Sequence, residues 1–314
     1  MARVVRDGLN GILRRAILAA AGSRLLQRFV RRYGMRLGAS RFVAGETLGD
    51  AVRALRALNE RGLRTNTTLL GEGIRDRAAA ARATSAYEEI LRRIAAEGLQ
   101  TNVALKLTHL GLPLDEELAF ENVSRVIACA AELGNFVRID MEESEWVDAT
   151  LRIFRRLCDE GRDNVGTVLH SYLYRTGDDL AALLPLSPNL RLVKGAYLEP
   201  ADVAYPRKQD VDAAYVRLLE RSLRESGFTA VATQDERLIE HAIAFARREG
   251  ISGDRFEFQM LYGVRPQLQL DLVRRGYSVL VATPYGPEWY PYLMRRLAER
   301  PANLLFFLRS LLRR

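Results

Sequence analysis

Eight short apolar or β-branched segments recur along the chain, and each is followed by a stretch whose apolar residues return at the helical period. They lie at 64–71, 100–109, 135–141, 164–173, 190–197, 229–235, 255–261 and 278–286, with starts 23 to 39 residues apart. That interval fits a strand, a crossover helix and two loops. In 236–249, Leu238, Ile239, Ala242, Ile243 and Phe245 share one side while charges take the other, and Val147, Leu151, Phe154 and Leu157 do the same in 146–160. Eight successive β-then-α units point to an α/β fold, a closed (βα)8 barrel of the TIM type. An open doubly wound sheet is the alternative, but no GxGxxG follows any of these strands. Further helices are predicted in 1–33, 47–61 and 302–313. The segment 287–300 predicts a final helix over the active-site end.

With 314 residues, 48% of them hydrophobic and 27% charged, the chain can bury a large core without metal or disulfide staples. Cys129 and Cys158 each sit in a predicted amphipathic helix and read as small buried residues of a reducing compartment. No stretch approaches 18 apolar residues, so no transmembrane helix is expected. Gly11 to Ala21 is broken by Arg14 and Arg15, which argues against a signal peptide. Charge is unevenly placed. Residues 1–41 hold ten arginines and Asp7, hence +9 of a chain total of +8, which leaves the remainder at −1. We therefore divide the chain into a basic helical arm, 1–45, and a barrel domain, 46–314. Such an arm suits an anionic membrane surface and implies a cytoplasmic protein peripheral to the membrane. It can equally pack on the body with a solvated arginine face. Nucleic acid is not expected, since no nucleic-acid motif accompanies the arm. The oligomeric state stays open.

The chain holds 44 arginines but only three lysines, Lys106, Lys194 and Lys208, two of them inside apolar runs. In this fold the working site lies at the carboxyl ends of the strands. Those ends are polar in turn: Glu72, Lys106, Asp140, His170, Arg191 with Lys194, Thr233-Gln234-Asp235 and Gln259. A buried charge costs several kcal/mol unless it is paired or used, so the set argues for a site even though each member alone could be a salt bridge. Arg191 and Lys194 should point to opposite faces of their strand unless its end kinks, which Gly195 permits. Two cations followed by Gly195, Ala196 and Tyr197 suit a large, flat, anionic cofactor. Lys194 also admits a second reading, a Schiff-base lyase or aldolase. A third is a non-catalytic membrane-associated barrel, which would have no use for Lys106, Asp140 or Arg191. His109, His170 and His241, each alone, read as structural. In the final segment Tyr292, Arg295, Arg296 and Glu299 share one helix face, where paired arginines form a bidentate carboxylate clamp.

In order along the chain stand ALKL, RIDMEESE, VLHSYLYRT, RLVKGAYLEP, AVATQDERLI, FEFQMLYGVR and YLMRRLAERPAN. Over residues 42 to 310 the sequence thereby resembles the bacterial monofunctional proline dehydrogenases, whose barrel is shared with the proline utilisation flavoproteins. The resemblance implies that a hydride passes from C5 of L-proline to N5 of FAD, giving Δ1-pyrroline-5-carboxylate, the first step of proline catabolism. A membrane quinone would then take the electrons. The residues themselves leave FAD and FMN open. Arg295, Arg296 and Lys106 would hold the substrate carboxylate, and Tyr197, Leu261 and Tyr292 would box its ring. Glu299 would lie near its amine, Glu72 would close the site against Arg295, and Asp140 would support that region. Arg191 would lie near flavin N5, with Met141, His170, Lys194, Gly195, Ala196, Thr233 and Gln234 touching the flavin. Three positions depart from the family pattern. His170 replaces a glutamine, Gln234 a histidine and Ala282 a tyrosine. The first two can shift the flavin potential. The third leaves room beside the substrate ring for a substituent, as in 4-hydroxyproline.

Overall fold

The computed structural model describes residues 24–36, 38–71 and 73–299, without the side chains of 24–26, 29 and 297–299. The predicted helices in 1–23 and 302–313 lie outside it. Eight strands close into a barrel in sequence order: β1 (Arg64–Leu69), β2 (Thr101–Leu105), β3 (Val137–Ile139), β4 (Val165–His170), β5 (Asn189–Val193), β6 (Phe228–Ala232), β7 (Phe256–Leu261) and β8 (Val279–Tyr285). All pairings are parallel, and β1 closes on β8 from Arg64↔Leu280 to Leu69↔Tyr285.

The helices are α1 (Arg24–Tyr33), α2 (Leu48–Asn59), α3 (Arg77–Ala96), α4 (Glu116–Glu132), α5 (Val147–Asp159), α6 (Thr176–Leu183), α7 (Lys208–Glu225), α8 (Glu236–Arg248), α9 (Pro266–Arg274) and α10 (Trp289–Glu299). Aspartates start several of them: Asp76, Asp115 and Asp235 each accept a backbone N–H in the first turn of α3, α4 and α8. Thr47 and Asp50 form a reciprocal capping box on α2. Their apolar faces bury Tyr87, Ile90 and Ile94 of α3 and Leu151, Phe154 and Leu157 of α5 against the strands.

The ring has one substitution that matters for the site. The helix packed against both β8 and β1 is α2, from the N-terminal side of the barrel, not the helix that follows β8. α10 is thereby released to lie over the strand carboxyl ends. There it buries Trp289, Leu293 and Met294 against Val30 of α1 and Phe42, Val43 and Leu70. Trp289 Nε1 donates to Glu46 Oε1 at 2.6 Å, and Arg31 pairs with Glu288 at 2.9 Å. Gly34 permits the approach, since a Cβ there would lie 2.7 Å from the Trp289 ring.

Inside the barrel, large charged residues alternate with small ones. The register sets Ala104, Arg138 and Gly166 side by side, then Arg191, Ala230 and Glu257. A Cβ on Gly166 would lie 2.4 Å from the Arg138 guanidinium, which donates instead to the carbonyls of Thr167 (3.0 Å) and Asn189 (2.7 Å). Burial pushes Arg138 down to about 9.

Candidate active site

A cavity of about 840 Å3 opens at the carboxyl ends of the strands beneath α10. Its lining includes every residue assigned to the site from the sequence except Glu72, which lies outside the described residues, and Glu299, whose side chain is not described. Seven cationic side chains line it against two carboxylates, Asp140 and Asp235. That surplus draws anionic ligands.

The floor is an ion-paired group. Arg191 Nη1 donates to Asp140 Oδ1 at 2.7 Å, Lys106 Nζ stands 3.8 Å from Asp140 Oδ2, and Arg191 Nε donates to Gln259 Oε1. Asp140 therefore binds both cations and fixes where they point. Lys194 leaves the opposite face of β5, as the strand geometry predicts. It donates to Asp212 of α7 at 2.6 Å and lies 3.6 Å from Asp235, while Lys208 shares Asp212. Two carboxylates thus hold the Lys194 ammonium, an engagement that withholds it from attack on a carbonyl. The Schiff-base reading loses its nucleophile.

Between β4 and β5 the cavity wall is closely packed, and a glycine makes room for an aromatic ring. Gly195 has φ +114°, and a Cβ there would lie 2.3 Å from the Tyr172 ring. His170 stands edge-on to Tyr172 at 5.3 Å and tilted to Tyr197 at 6.2 Å. Its buried Nδ1 has no hydrogen-bond partner. Burial depresses His170 to about 4, with Asp140 pulling weakly the other way, so the ring is neutral near pH 7. Thr233, Gln234 and Met141 continue this wall, and Thr233 Oγ1 accepts from the N–H of Asp235 at 3.2 Å.

The roof is α10. Tyr292, Arg295 and Arg296 all face the cavity, as their spacing predicts. Arg295 approaches the Tyr197 ring at 6.0 Å and Arg296 the Tyr292 ring at 5.4 Å, within cation–π range. Leu261 and Ala282 are register partners on β7 and β8 and line the side between floor and roof. His109 and His241 stand apart from the cavity. His109 lies under Gly71 and edge-on to Tyr87, and His241 pairs with Glu220 at 2.9 Å.

Several contributors carried no signal that reasoning on the sequence used. Asp212 neutralises Lys194, and Asn66 and Thr68 line the cavity from β1. Glu199 anchors the segment bearing Tyr197, accepting from Ser144 N at 2.8 Å and Ser144 Oγ at 2.6 Å. The Lys208/Asp212 spacing of four on α7 is a visible pattern that could have pointed to the first.

Fold and cavity define a (βα)8-barrel enzyme with a cation-lined site. Residues 51–309 match the family model described as proline dehydrogenase. A proline dehydrogenase of Deinococcus radiodurans is 43% identical, over 97% of this chain and 99% of its own. Proline dehydrogenase 1 of Bacillus subtilis strain 168 is 40% identical, over 96% and 100%. The chain belongs to the proline dehydrogenase family, oxidoreductases and flavoproteins that begin proline catabolism. A solved proline utilization A from Bdellovibrio bacteriovorus, inactivated by N-propargylglycine, shares the fold at TM-score 0.80 with 24% identity, covering 88% of this chain and 34% of that one.

Proposed function

We propose that the chain oxidises L-proline with FAD and passes the electrons to a quinone at an anionic membrane surface. The observation that carries the reading is the facing of the Arg295/Arg296 roof by the Lys106–Asp140–Arg191 floor across one cavity. Bound flavin supplies a hydride acceptor. The residues fit it: the His170 Nδ1 lacks a partner, and Lys194, Lys208 and Arg265 line the cavity, cations that a phosphate-bearing chain could engage. Arg295 and Arg296, with Lys106, would bind the substrate carboxylate, and Tyr197, Leu261 and Tyr292 would confine the ring. Oxidation removes a hydride from carbon and a proton from the amine, so the roof must hold the ring in one pose. Arg191 would stabilise negative charge on the reduced cofactor. Lipid attraction draws support from the +9 of residues 1–41, and among the described residues no helix is long and apolar enough to cross a membrane.

The test is an anaerobic titration of purified protein with L-proline and, separately, 4-hydroxy-L-proline, followed by mass analysis of the released flavin. Bleaching by either supports the reading, and the mass separates FAD from FMN. A colourless protein that flavin cannot reconstitute would overturn it. Ala282 bears on the choice of substrate. It lies between Leu261 and Asn66 in the register and leaves room beside the ring. Ala282→Tyr should move the kcat/KM ratio of proline to 4-hydroxyproline toward proline by about tenfold. An unmoved ratio removes the specificity role.

A further inference from the structure

We infer that Glu257 and Gln259 are positioning residues that fix the direction of Arg191 and thereby tune the bound cofactor. The inference rests on the proposed placement of Arg191 against the flavin.

The argument begins with space. Arg191 and Ala230 are register partners, and Ala230 in turn pairs with Glu257 and Ala232 with Gln259. Two alanines on the inner face of β6 leave a gap through which the Arg191 side chain crosses from β5 to β7. There its Nε donates to Gln259 Oε1. Larger residues at 230 or 232 would close the passage.

Direction follows from donor and acceptor chemistry. A glutamine amide has one accepting end and one donating end, and it can be turned around at little cost unless its partners differ. Here they differ. Below Gln259, the Glu257 carboxylate accepts from Gln259 Nε2 at 2.7 Å and is paired with Arg64 at 3.2 Å. A carboxylate can only accept, so the amide nitrogen must face down and the amide oxygen must face up. Reversal would set an amide NH2 against the Arg191 N–H and an oxygen against a carboxylate, two repulsive contacts in a dry interior where each is expensive. Both residues are 4% exposed, so water does not relieve the mismatch.

With Nε taken by Gln259 and Nη1 by Asp140, the guanidinium plane is fixed by two acceptors, one on β7 and one just past β3. These two contacts leave further N–H bonds on Nη1 and Nη2, and Arg191 lines the cavity. The chain of contacts runs Arg64, Glu257, Gln259, Arg191, Asp140, from the amino end of the barrel to its working end. Glu257 acts on Arg191 through the polarity of one amide, at a sequence distance that no local pattern displays.

The experiment compares wild type, Glu257→Gln, Gln259→Met and the double variant as holoenzymes, reading the reduction potential of the bound flavin beside kcat and KM for proline. Glu257→Gln keeps the shape but lets residue 257 donate, so the amide above it can turn. Gln259→Met removes the acceptor. Each should lower the potential by about 30 mV, the equivalent of a tenfold loss in the equilibrium for two-electron reduction, and lower kcat by roughly tenfold with KM little changed. Because both act through one bond, the double variant should be no worse than either single one. A wild-type potential in Glu257→Gln, or additive losses in the double variant, overturns the inference. If Glu257→Gln does not fold, Gln259→Met decides alone, and an unchanged potential there is fatal. A merely structural role would lower the melting temperature and leave the potential in place. A wild-type protein that binds no flavin would instead defeat the functional reading on which this inference stands.

Discussion

Glu142 lies two residues past Asp140, and its buried carboxylate is hydrogen-bonded by Thr108. It accepts from Thr108 N at 3.1 Å and from Thr108 Oγ1 at 2.5 Å. Burial pushes it up to about 7, while Lys106 and Thr108 pull it down. The folded protein therefore binds a proton between about pH 4.5 and 7 that the unfolded chain does not, and its stability falls as pH rises through that window. His170 works in the opposite sense. Depressed to about 4, it refuses a proton that the unfolded chain takes up below about 6.5, so stability falls as pH drops from 6.5 to 4. Each shift corresponds to about 3 kcal/mol. The two slopes oppose each other between about pH 4.5 and 6.5 and should nearly cancel in the wild type. Each single variant should uncover the other. Glu142→Gln should be more stable than wild type at pH 8, with the gain gone by pH 5. His170→Gln should resist acid better than wild type from pH 6 downward. Urea midpoints for the three proteins across pH 4 to 8 decide this, and parallel curves would show that neither group titrates as its burial dictates.

At the scale of elements, the segment between β5 and α7 matters most, because Gly195, Ala196 and Tyr197 all sit on it. It is irregular, yet it is tied down. Tyr205 N bonds Tyr172 O at 2.8 Å, and Leu173 and Ala204 form an antiparallel bridge. Glu199 clasps Ser144 and accepts from Tyr172 Oη at 3.4 Å. Burial, and after it Glu199, push the Tyr172 hydroxyl well above its ordinary range, so it remains a donor. Glu199→Ala should raise KM for proline by about tenfold while kcat changes less, since Tyr197 loses its anchor but the floor is untouched. Steady-state kinetics with an artificial acceptor would show it, and an unchanged KM would mean that the backbone ties suffice. This segment also marks the boundary of what the sequence displays. Strands were legible because apolar alternation and a regular interval are local properties. Lys106, Asp140 and Arg191 stood out because a charge within an apolar run is conspicuous, whereas His170 read as structural and became a candidate only through the resemblance. Glu199, Asp212 and Glu257 are ordinary-looking carboxylates, and their contacts with Ser144, Lys194 and Arg64 span 55, 18 and 193 residues, so only the fold reveals those pairings. The place of α2 in the ring was hidden for the same reason. Its amphipathic pattern says that one face is covered, not by what.

At the scale of the whole molecule, the basic arm and the active-site roof turn out to be one construction. The sequence suggests an arm that can be removed through residue 41 without harm to oxidation. In the structure, Val30, Ala39, Phe42 and Val43 form the surface against which α10 packs, and α10 carries Tyr292, Arg295 and Arg296. Removal through residue 41 strips part of that support, at about 1.5–3 kcal/mol for each large side chain. It should therefore raise KM for proline. Removal through residue 23 leaves all these contacts in place and should not. Six of the ten arginines, from Arg24 to Arg41, belong to the retained portion. Arg28, Arg32 and Arg36 are exposed there, on the helix and turn that back the roof. The basic surface thus lies on elements that pack against α10, which suits the proposed membrane-borne acceptor. Replacing Arg28, Arg32 and Arg36 together by glutamine should weaken sedimentation with anionic vesicles, most clearly at low salt. Dye-linked proline oxidation should stay at the wild-type rate, because none of the three faces the cavity. Undiminished vesicle binding by that variant would leave the arm as packing for α10 and would require a different surface to meet the membrane.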